Sequence, residues 1–156
     1  MAILTLTGAK LLHEGQFEGR KVRLPVFLGR RPAEPVDPDL AAFYRRLLKE
    51  IRRDLFRNGE WRLCERSGWP DNQSCRNLLA WCWVKDGERC LIVVNFSDGA
   101  SQALVHVPWD DLRGKTWRLT DVLSGEAYER SGNEMRDSGL YVDLPPWGYH
   151  VFALGS

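Results

Sequence analysis

Short apolar segments separated by turn residues run from Glu60 onward, and this pattern restricts the fold more than any other feature of the chain. The segments are Trp61–Glu65, Leu78–Lys85, Glu88–Phe96, Ala103–Val107, Lys115–Leu119, Glu126–Glu129, Leu140–Leu144 and Tyr149–Leu154. Asp86-Gly87 joins the second segment to the third and is a strong signal for a two-residue hairpin. Roughly seven or eight strands, with a turn about every 8–12 residues, predict an antiparallel β-sandwich of the Greek-key type.

One amphipathic helix precedes the predicted strands. Asp37 suits the N-cap position, and Pro38 suits the first helical position. Apolar residues then recur with helical periodicity at Leu40, Phe43, Tyr44, Leu47, Leu48, Ile51, Leu55 and Phe56. Asn58-Gly59 ends the pattern, which predicts a helix over residues 38–57. Its opposite face is basic, but the net charge of the chain is +1, so we expect a solvated face rather than a nucleic-acid partner.

The segment before this helix does not form a domain of its own. It contains short apolar pieces at Ile3–Leu6, Ala9–Leu12 and Val22–Leu28, a polar loop at His13–Gly19, and an irregular connection from Arg30 to Pro38. These pieces and one helix cannot close a hydrophobic core. We therefore predict that residues 1–58 belong to a larger fold and that residues 59–156 form the sandwich domain.

Composition excludes several classes of protein. With 44% hydrophobic and 28% charged residues, the chain is typical of globular proteins, and no apolar run approaches the roughly 20 residues of a membrane span. The N-terminus lacks the features of a signal peptide, so a cytoplasmic location is slightly favoured. The four cysteines form no CxxC pair, so no metal is expected; Cys82 and Cys90 read as buried thiols. Cys64 and Cys75 are either free or joined by a disulfide.

Five phrases, taken in order, resemble the C-terminal region of alpha-amylase-family glycoside hydrolases. They are Gly8–Gln16, Phe43–Leu47, Leu91–Ser97, Thr120–Glu126 and Leu144–Phe152. The first resembles the eighth barrel strand and the Gly-Gln-Glu sequence that follows it, although Phe17 here separates Gln16 from Glu18. The second resembles the last barrel helix. The remaining three resemble the central strand, a Ser-Gly turn and the closing hairpin of the C-terminal sandwich.

The resemblance implies a division of the chain and a function. Residues 1–58 would be a remnant of the last βα unit of a (β/α)8 barrel, and residues 59–156 the C-terminal sandwich domain. The family's catalytic Asp, Glu and second Asp would lie on earlier barrel strands, so the chain itself would be a non-catalytic accessory domain without a cofactor. Its partners would be the catalytic barrel of its own parent chain and α-glucan oligosaccharides. The alternative is an independent carbohydrate-binding module that uses surface tryptophans.

Two loops carry candidate substrate-contacting residues. His13, Glu14, Gln16 and Glu18 follow the presumed eighth strand, where barrel enzymes build their sites, although structural hydrogen bonding explains them equally well. Trp69, Asp71 and Asn72 combine one ring for stacking on a sugar with neighbouring polar groups. Asp110-Asp111 reads as a turn or helix cap, and His106 and His150 as strand residues.

The other tryptophans and the helix carry further expectations. Trp81 and Trp83 share one strand face and are predicted to lie in the core, and Trp147 is predicted to pack under the last hairpin. The apolar face of helix 38–57 would be exposed, folded back on the sandwich, or buried in a dimer.

Overall fold

The computed structural model describes residues 1–22, 27, 30 and 32–155. The apolar segment predicted at Val22–Leu28 lies mostly outside the described residues, and so does Arg31 in the connection from Arg30 to Pro38. Within the described part of the chain, no helix is both long enough and apolar enough to cross a membrane.

Nine strands and four short helices make up the described fold. The strands are β1 (Glu60–Leu63), β2 (Glu65–Ser67), β3 (Leu78–Lys85), β4 (Glu88–Asn95), β5 (Ser101–His106), β6 (Thr116–Asp121), β7 (Ala127–Ser131), β8 (Leu140–Leu144) and β9 (Tyr149–Gly155). The helices are α1 (Ala2–Thr5), α2 (Pro38–Ile51), α3 (Leu55–Asn58) and α4 (Gly132–Asp137), with a 3-10 turn at Ser74–Asn77. The turn at Ser74–Asn77 and α4 were not predicted from the sequence.

The strands form two antiparallel sheets, which confirms the predicted sandwich. A six-stranded sheet has the order β1-β3-β4-β9-β6-β7, and a three-stranded sheet has the order β2-β5-β8. The β3–β4 hairpin turns at Asp86 and Gly87, whose φ angles of 48° and 84° are the positive values that such a two-residue turn requires. The hairpin prediction is therefore confirmed.

The predicted single strand Trp61–Glu65 is divided between the two sheets. β1 pairs with β3 in the six-stranded sheet, whereas β2 pairs with β5 in the three-stranded sheet. Cys64 lies at the crossing point, where it is 1% exposed and its backbone N–H donates to the carbonyl of Ala80 at 2.9 Å. The chain thus closes one edge of the sandwich by passing from one sheet to the other.

Apolar side chains cover both faces of the six-stranded sheet. In β4, Leu91 and Val93 face the core between the two sheets, while Ile92 and Val94 face a second core on the other side. This explains the continuously apolar sequence of β4, since a strand buried on both faces does not alternate with polar residues.

The described residues between 1 and 58 form the layer that covers this second face, and we call them the helical layer. Leu47 of α2 is fully buried, and the ring of Phe56 lies 5.7 Å from the ring of Trp83. The indole N–H groups of Trp81 and Trp83 both donate to the carbonyl of Thr5, at 3.1 and 2.8 Å. The prediction that Trp81 and Trp83 are core residues is confirmed, and these two bonds fix the start of the chain on the sheet.

The predicted helix begins where expected but is interrupted before its end. The Asp37 side chain accepts hydrogen bonds from the backbone N–H groups of Asp39 and Leu40, so the predicted N-cap is confirmed. α2 ends at Ile51, and a turn separates it from α3, which ends at Asn58. The turn redirects Leu55 and Phe56 onto β3, where both are buried.

Of the three outcomes considered for the apolar helix face, the structure has the face folded back on the sandwich. A dimer through helix 38–57 stays an untested prediction, and the chain's own sheet already covers that face.

Two further expectations have clear outcomes. Trp147 does not pack under the last hairpin: it is 62% exposed, because its φ of 57° in the turn between β8 and β9 directs the ring outward. All four cysteines are buried and free, so Cys64 and Cys75 are not joined. The adjacent Cys82 thiol and burial raise the pKa of Cys64, and burial raises the pKa of Cys90.

Candidate functional site

The loop that contains His13, Glu14, Gln16 and Glu18 is fastened to the start of α2. The Gln16 backbone N–H donates to the His13 carbonyl at 3.1 Å, and the His13 N–H donates to the Gln16 side-chain oxygen at 3.2 Å. The Gln16 side-chain amide donates to the Tyr44 hydroxyl at 3.1 Å, and the Phe17 ring lies 4.9 Å from the Tyr44 ring. Gln16 therefore has a defined structural role.

The two carboxylates of this loop have different surroundings. Glu14 lies 3.9 Å from the guanidinium of Arg20, and its side chain is mostly exposed. Glu18 is engaged through its backbone, where its carbonyl accepts a hydrogen bond from Asp37 at 3.0 Å. That bond joins the loop to the N-cap of α2. Contact of these residues with a substrate stays a prediction.

The second candidate loop is a tight turn in which Trp69 and Asn72 face each other. Their backbone groups bond reciprocally, at 3.0 and 3.3 Å. Asp71 lies between them and is exposed. The Gln73 side chain donates to the Trp69 carbonyl at 3.0 Å, which further fixes the turn.

The fold adds residues to this loop that the sequence did not single out. The Asn72 side-chain amide donates to Gln102 at 3.2 Å, and the Gln102 amide donates to the Asp143 carboxylate at 3.0 Å. The Trp69 ring lies 6.1 Å from the ring of Tyr141, with an angle of 68° between the planes. Trp69 and Asn72 are thus part of a mixed aromatic and polar surface, which we call the outer surface.

Strand register explains how the outer surface is assembled. Gln102 of β5 pairs with Asp143 of β8, and Leu104 pairs with Tyr141. In β8, Leu140, Val142 and Leu144 are buried, so Tyr141 and Asp143 point away from the core. This register connects residues about 40 positions apart, and no local pattern in the sequence could reveal it.

A cleft lies beside the outer surface, where the edge strands β7 and β8 of the two sheets face each other. It has a volume of about 170 Å³, and Phe152 contributes to its apolar floor. Tyr128, Arg130, Asp143 and His150 supply polar groups at its wall, and Tyr141 lines it as well. The cleft and the outer surface therefore share Tyr141 and Asp143.

A hydrogen bond between a histidine and a buried aspartate fixes one wall of the cleft. His150 Nδ1 lies 2.7 Å from Oδ2 of Asp121, which is 2% exposed. Burial alone would raise the pKa of Asp121, but hydrogen bonds from His150 and from the backbone N–H groups of Leu123 and Ser124 together hold it below its ordinary value. The His150 ring also stacks on Phe152 at 4.5 Å, so its position is tightly defined.

The remaining sequence candidates have structural roles. Asp110 and Asp111 lie in a turn, as predicted, and pair with Arg136 at 3.0 Å and with Arg89 at 2.7 Å. His106 lies in β5, as expected, and bonds to the Ser67 hydroxyl at 2.9 Å. Among the described residues, no group of three or more His, Cys, Asp or Glu side chains could hold a metal ion.

The two candidate loops lie on opposite sides of the molecule. The His13–Glu18 loop belongs to the helical layer, whereas Trp69 and Asn72 belong to the outer surface of the three-stranded sheet. The six-stranded sheet separates them. The structure therefore does not combine the predicted residues into one site.

Comparison with known proteins places the fold. No protein-family model matches the sequence, and no curated protein matches it significantly. The chain is similar in structure to a noncanonic maltogenic alpha-amylase from Thermotoga neapolitana, with a TM-score of 0.77 and 15% identity over 97% of this chain. It is also similar to an Anoxybacillus alpha-amylase, with a TM-score of 0.56 and 16% identity over 77% of this chain. A third similar structure is an alpha-amylase from Geobacillus thermoleovorans, with a TM-score of 0.57 and 13% identity over 78% of this chain.

These likenesses define a class of fold. The chain has the fold of a segment that occurs in alpha-amylase structures, in agreement with the resemblance in the sequence. It spans 34% of the Thermotoga enzyme, 23% of the Anoxybacillus enzyme and 24% of the Geobacillus enzyme. Because residues 59–156 make up less than two thirds of the chain, a match over 97% of it extends through most of the helical layer.

Proposed function

We propose that this chain is the C-terminal accessory part of an alpha-amylase-type glycoside hydrolase that acts on α-glucans. In this proposal, residues 1–58 are a remnant of the last βα unit of the catalytic barrel, and residues 59–156 are a non-catalytic sandwich domain. The observation that carries the proposal is the match to the Thermotoga enzyme, which spans the helical layer as well as the sandwich yet accounts for only 34% of that enzyme.

An apolar surface on the helical layer supports this proposal. Ile3 and Leu11 are 66% and 80% exposed, although both are large apolar side chains. They line a broad groove of about 480 Å³ that also contains Phe96 and Trp147, which are 48% and 62% exposed. Contiguous exposed apolar surface is typical of a contact with another part of a protein. The rest of a barrel would cover this groove, with Leu11 in the position of the eighth strand.

The arrangement of carboxylates also favours an accessory role. A retaining glycosidase needs two carboxyl groups about 5–5.5 Å apart on either side of the bond that it cleaves. Asp110 and Asp111 form ion pairs with arginines, and Asp121 is buried against His150. The proposal therefore assigns catalysis to residues of the parent enzyme that precede this chain.

The alternative, an independent carbohydrate-binding module with a row of surface tryptophans, has less support. Trp81, Trp83, Trp109 and Trp117 are buried, and Trp61 and Trp69 are half-buried. Of the seven tryptophans, all of which lie in the described part of the chain, Trp147 is the exposed one. The feature that favours sugar binding is instead the pair formed by Trp69 and Tyr141.

An activity assay tests the non-catalytic part of the proposal. We expect the purified chain, incubated with maltoheptaose and with soluble starch, to release no reducing sugar above a buffer control. An alpha-amylase measured in parallel shows that the assay detects hydrolysis. Release of sugar by the chain that persists after repurification would contradict the proposal.

A further inference from the structure

The cleft between β7 and β8 has the chemical character of a small-ligand site. Such sites combine an apolar floor with a few convergent polar groups. Here Phe152 and Leu119 form part of the floor, while Arg130 and Asp143 lie at the wall. The cleft volume of about 170 Å³ is below the roughly 300–1,000 Å³ of pockets for drug-sized ligands, so the cleft suits a single small ring.

Charge selects a neutral ligand for this cleft. Arg130 and Asp143 give the wall one charge of each sign, and the imidazole of His150 is already paired with Asp121. A ligand with a net charge of either sign would be attracted by one wall residue and repelled by the other, so its charge would bring no net gain. A polyhydroxylated neutral ring, by contrast, can accept from the guanidinium and donate to the carboxylate.

Two tyrosines give the cleft walls that suit a sugar. Tyr128 is held edge-on against Phe152, with ring centroids 5.8 Å apart, and its hydroxyl donates to Glu126 at 2.6 Å. Desolvation and the nearby Asp143 raise the pKa of Tyr141, and the bond to Glu126 raises that of Tyr128. Both phenols therefore stay protonated, with a flat apolar face and a polar edge.

The outer surface continues from this cleft toward Trp69. Tyr141 lines the cleft and also contacts the Trp69 ring at 6.1 Å, so an aromatic path continues beyond the first ring position. The hydrogen-bonded chain Asn72–Gln102–Asp143 runs beside this path. Because the amides are already ordered by one another, they present donors and acceptors without further loss of side-chain freedom.

We infer that the β7–β8 cleft and the outer surface together bind an α-glucan chain, with one glucosyl ring in the cleft beside Tyr128 and Tyr141 and the next ones passing toward Trp69. The choice of an α-linked glucan rests on the proposed function; the presence of a sugar site rests on the geometry alone. The cleft is lined by no described residue of the helical layer, although Tyr128, Asp143 and His150 also line a neighbouring cavity together with Arg46 of α2.

Isothermal titration of the full chain with maltoheptaose tests this inference. We expect binding to the wild-type chain, and Tyr141→Ala and Trp69→Ala should each weaken the binding by about tenfold or more. Trp147→Ala is the matched control, because it removes an exposed tryptophan from the groove of Ile3 and Leu11, which shares no described lining residue with the cleft, and should leave the affinity unchanged. Unchanged far-ultraviolet circular dichroism and melting temperature would show that each variant is folded.

The outcomes separate the site from the proposed function. Undetectable binding of maltoheptaose by the wild-type chain, or binding that Tyr141→Ala leaves unchanged, would overturn the inference. Binding of cellohexaose in preference to maltoheptaose would overturn the choice of ligand. None of these results bears on the proposed accessory role, which depends on the parent protein and is tested independently by its size.

Discussion

Asn95 shows how much of this fold depends on one polar side chain. It lies at the end of β4 and is 1% exposed. The two hydrogens of its amide nitrogen are shared among the carbonyls of Gly99, Leu144 and Pro145, at N···O distances of 2.8, 3.3 and 2.9 Å. Its oxygen accepts from the backbone N–H and the hydroxyl of Ser97, at 3.1 and 2.9 Å. One amide therefore connects the end of β4 to the turn between β8 and β9.

Replacing Asn95 should be costly, because a 1% exposed amide that bonds to five groups at the end of β4 would be lost. We expect Asn95→Ala to lower the free energy of unfolding by about 2–3 kcal/mol. Asn95→Asp should cost more, since a carboxylate would oppose three carbonyl oxygens instead of donating to them. Urea unfolding followed by tryptophan fluorescence measures both values.

Asn133 supplies the control for this prediction. Its side chain accepts one exposed hydrogen bond, from the Gly114 N–H at 3.1 Å. We expect Asn133→Ala to cost about 0.5 kcal/mol or less. If Asn95→Ala cost no more than Asn133→Ala, the described role of Asn95 would be wrong.

At the scale of elements, the helical layer is the least expected part of the structure. Sequence periodicity predicted an amphipathic helix but could not identify what its apolar face would cover. The structure places that face on the six-stranded sheet, where Leu47 is fully buried, and gives the sheet a core on each side. The continuously apolar sequence of β4 agrees with this packing, because a strand needs apolar residues on both faces only when both faces of its sheet are covered.

Leu47 offers a test of this packing. We expect Leu47→Ala to lower the free energy of unfolding by about 2–5 kcal/mol, because it removes a fully buried side chain and leaves a cavity. Lys49→Ala, on the exposed side of the same helix, should change the free energy by about 0.5 kcal/mol or less. Equal effects of the two substitutions in thermal or urea unfolding would mean that α2 does not pack on the sheet as described.

The sequence predicted local structure well and pairing poorly, for physical reasons. The bounds of β3 and β8 match the predicted segments residue for residue, since turn residues and strand propensity act locally. The division of the first strand at Cys64 was missed, because which sheet a strand joins depends on distant partners. Likewise, Trp69 and Asn72 were recognised from their loop, but Gln102, Tyr141 and Asp143 join them only through the β5–β8 register.

At the scale of the whole molecule, the structure has three layers with different surfaces. The helical layer carries exposed apolar groups such as Ile3 and Leu11. The three-stranded sheet, on the other side, carries the polar and aromatic outer surface. A barrel contact on the helical layer and a glucan contact on the outer surface would use different residues. The two proposals therefore concern separate surfaces and can fail separately.

The size of the native protein tests most directly whether this chain functions as part of a longer alpha-amylase-type enzyme, as we propose. An antiserum raised against the purified chain should detect, in extracts of the source organism, a protein about three times the 17.9 kDa mass of the chain, because the chain spans about a third of the Thermotoga enzyme. The immunoprecipitated protein should release reducing sugar from maltoheptaose. A native protein of 17.9 kDa, with no longer form that hydrolyses α-glucans, would contradict the account.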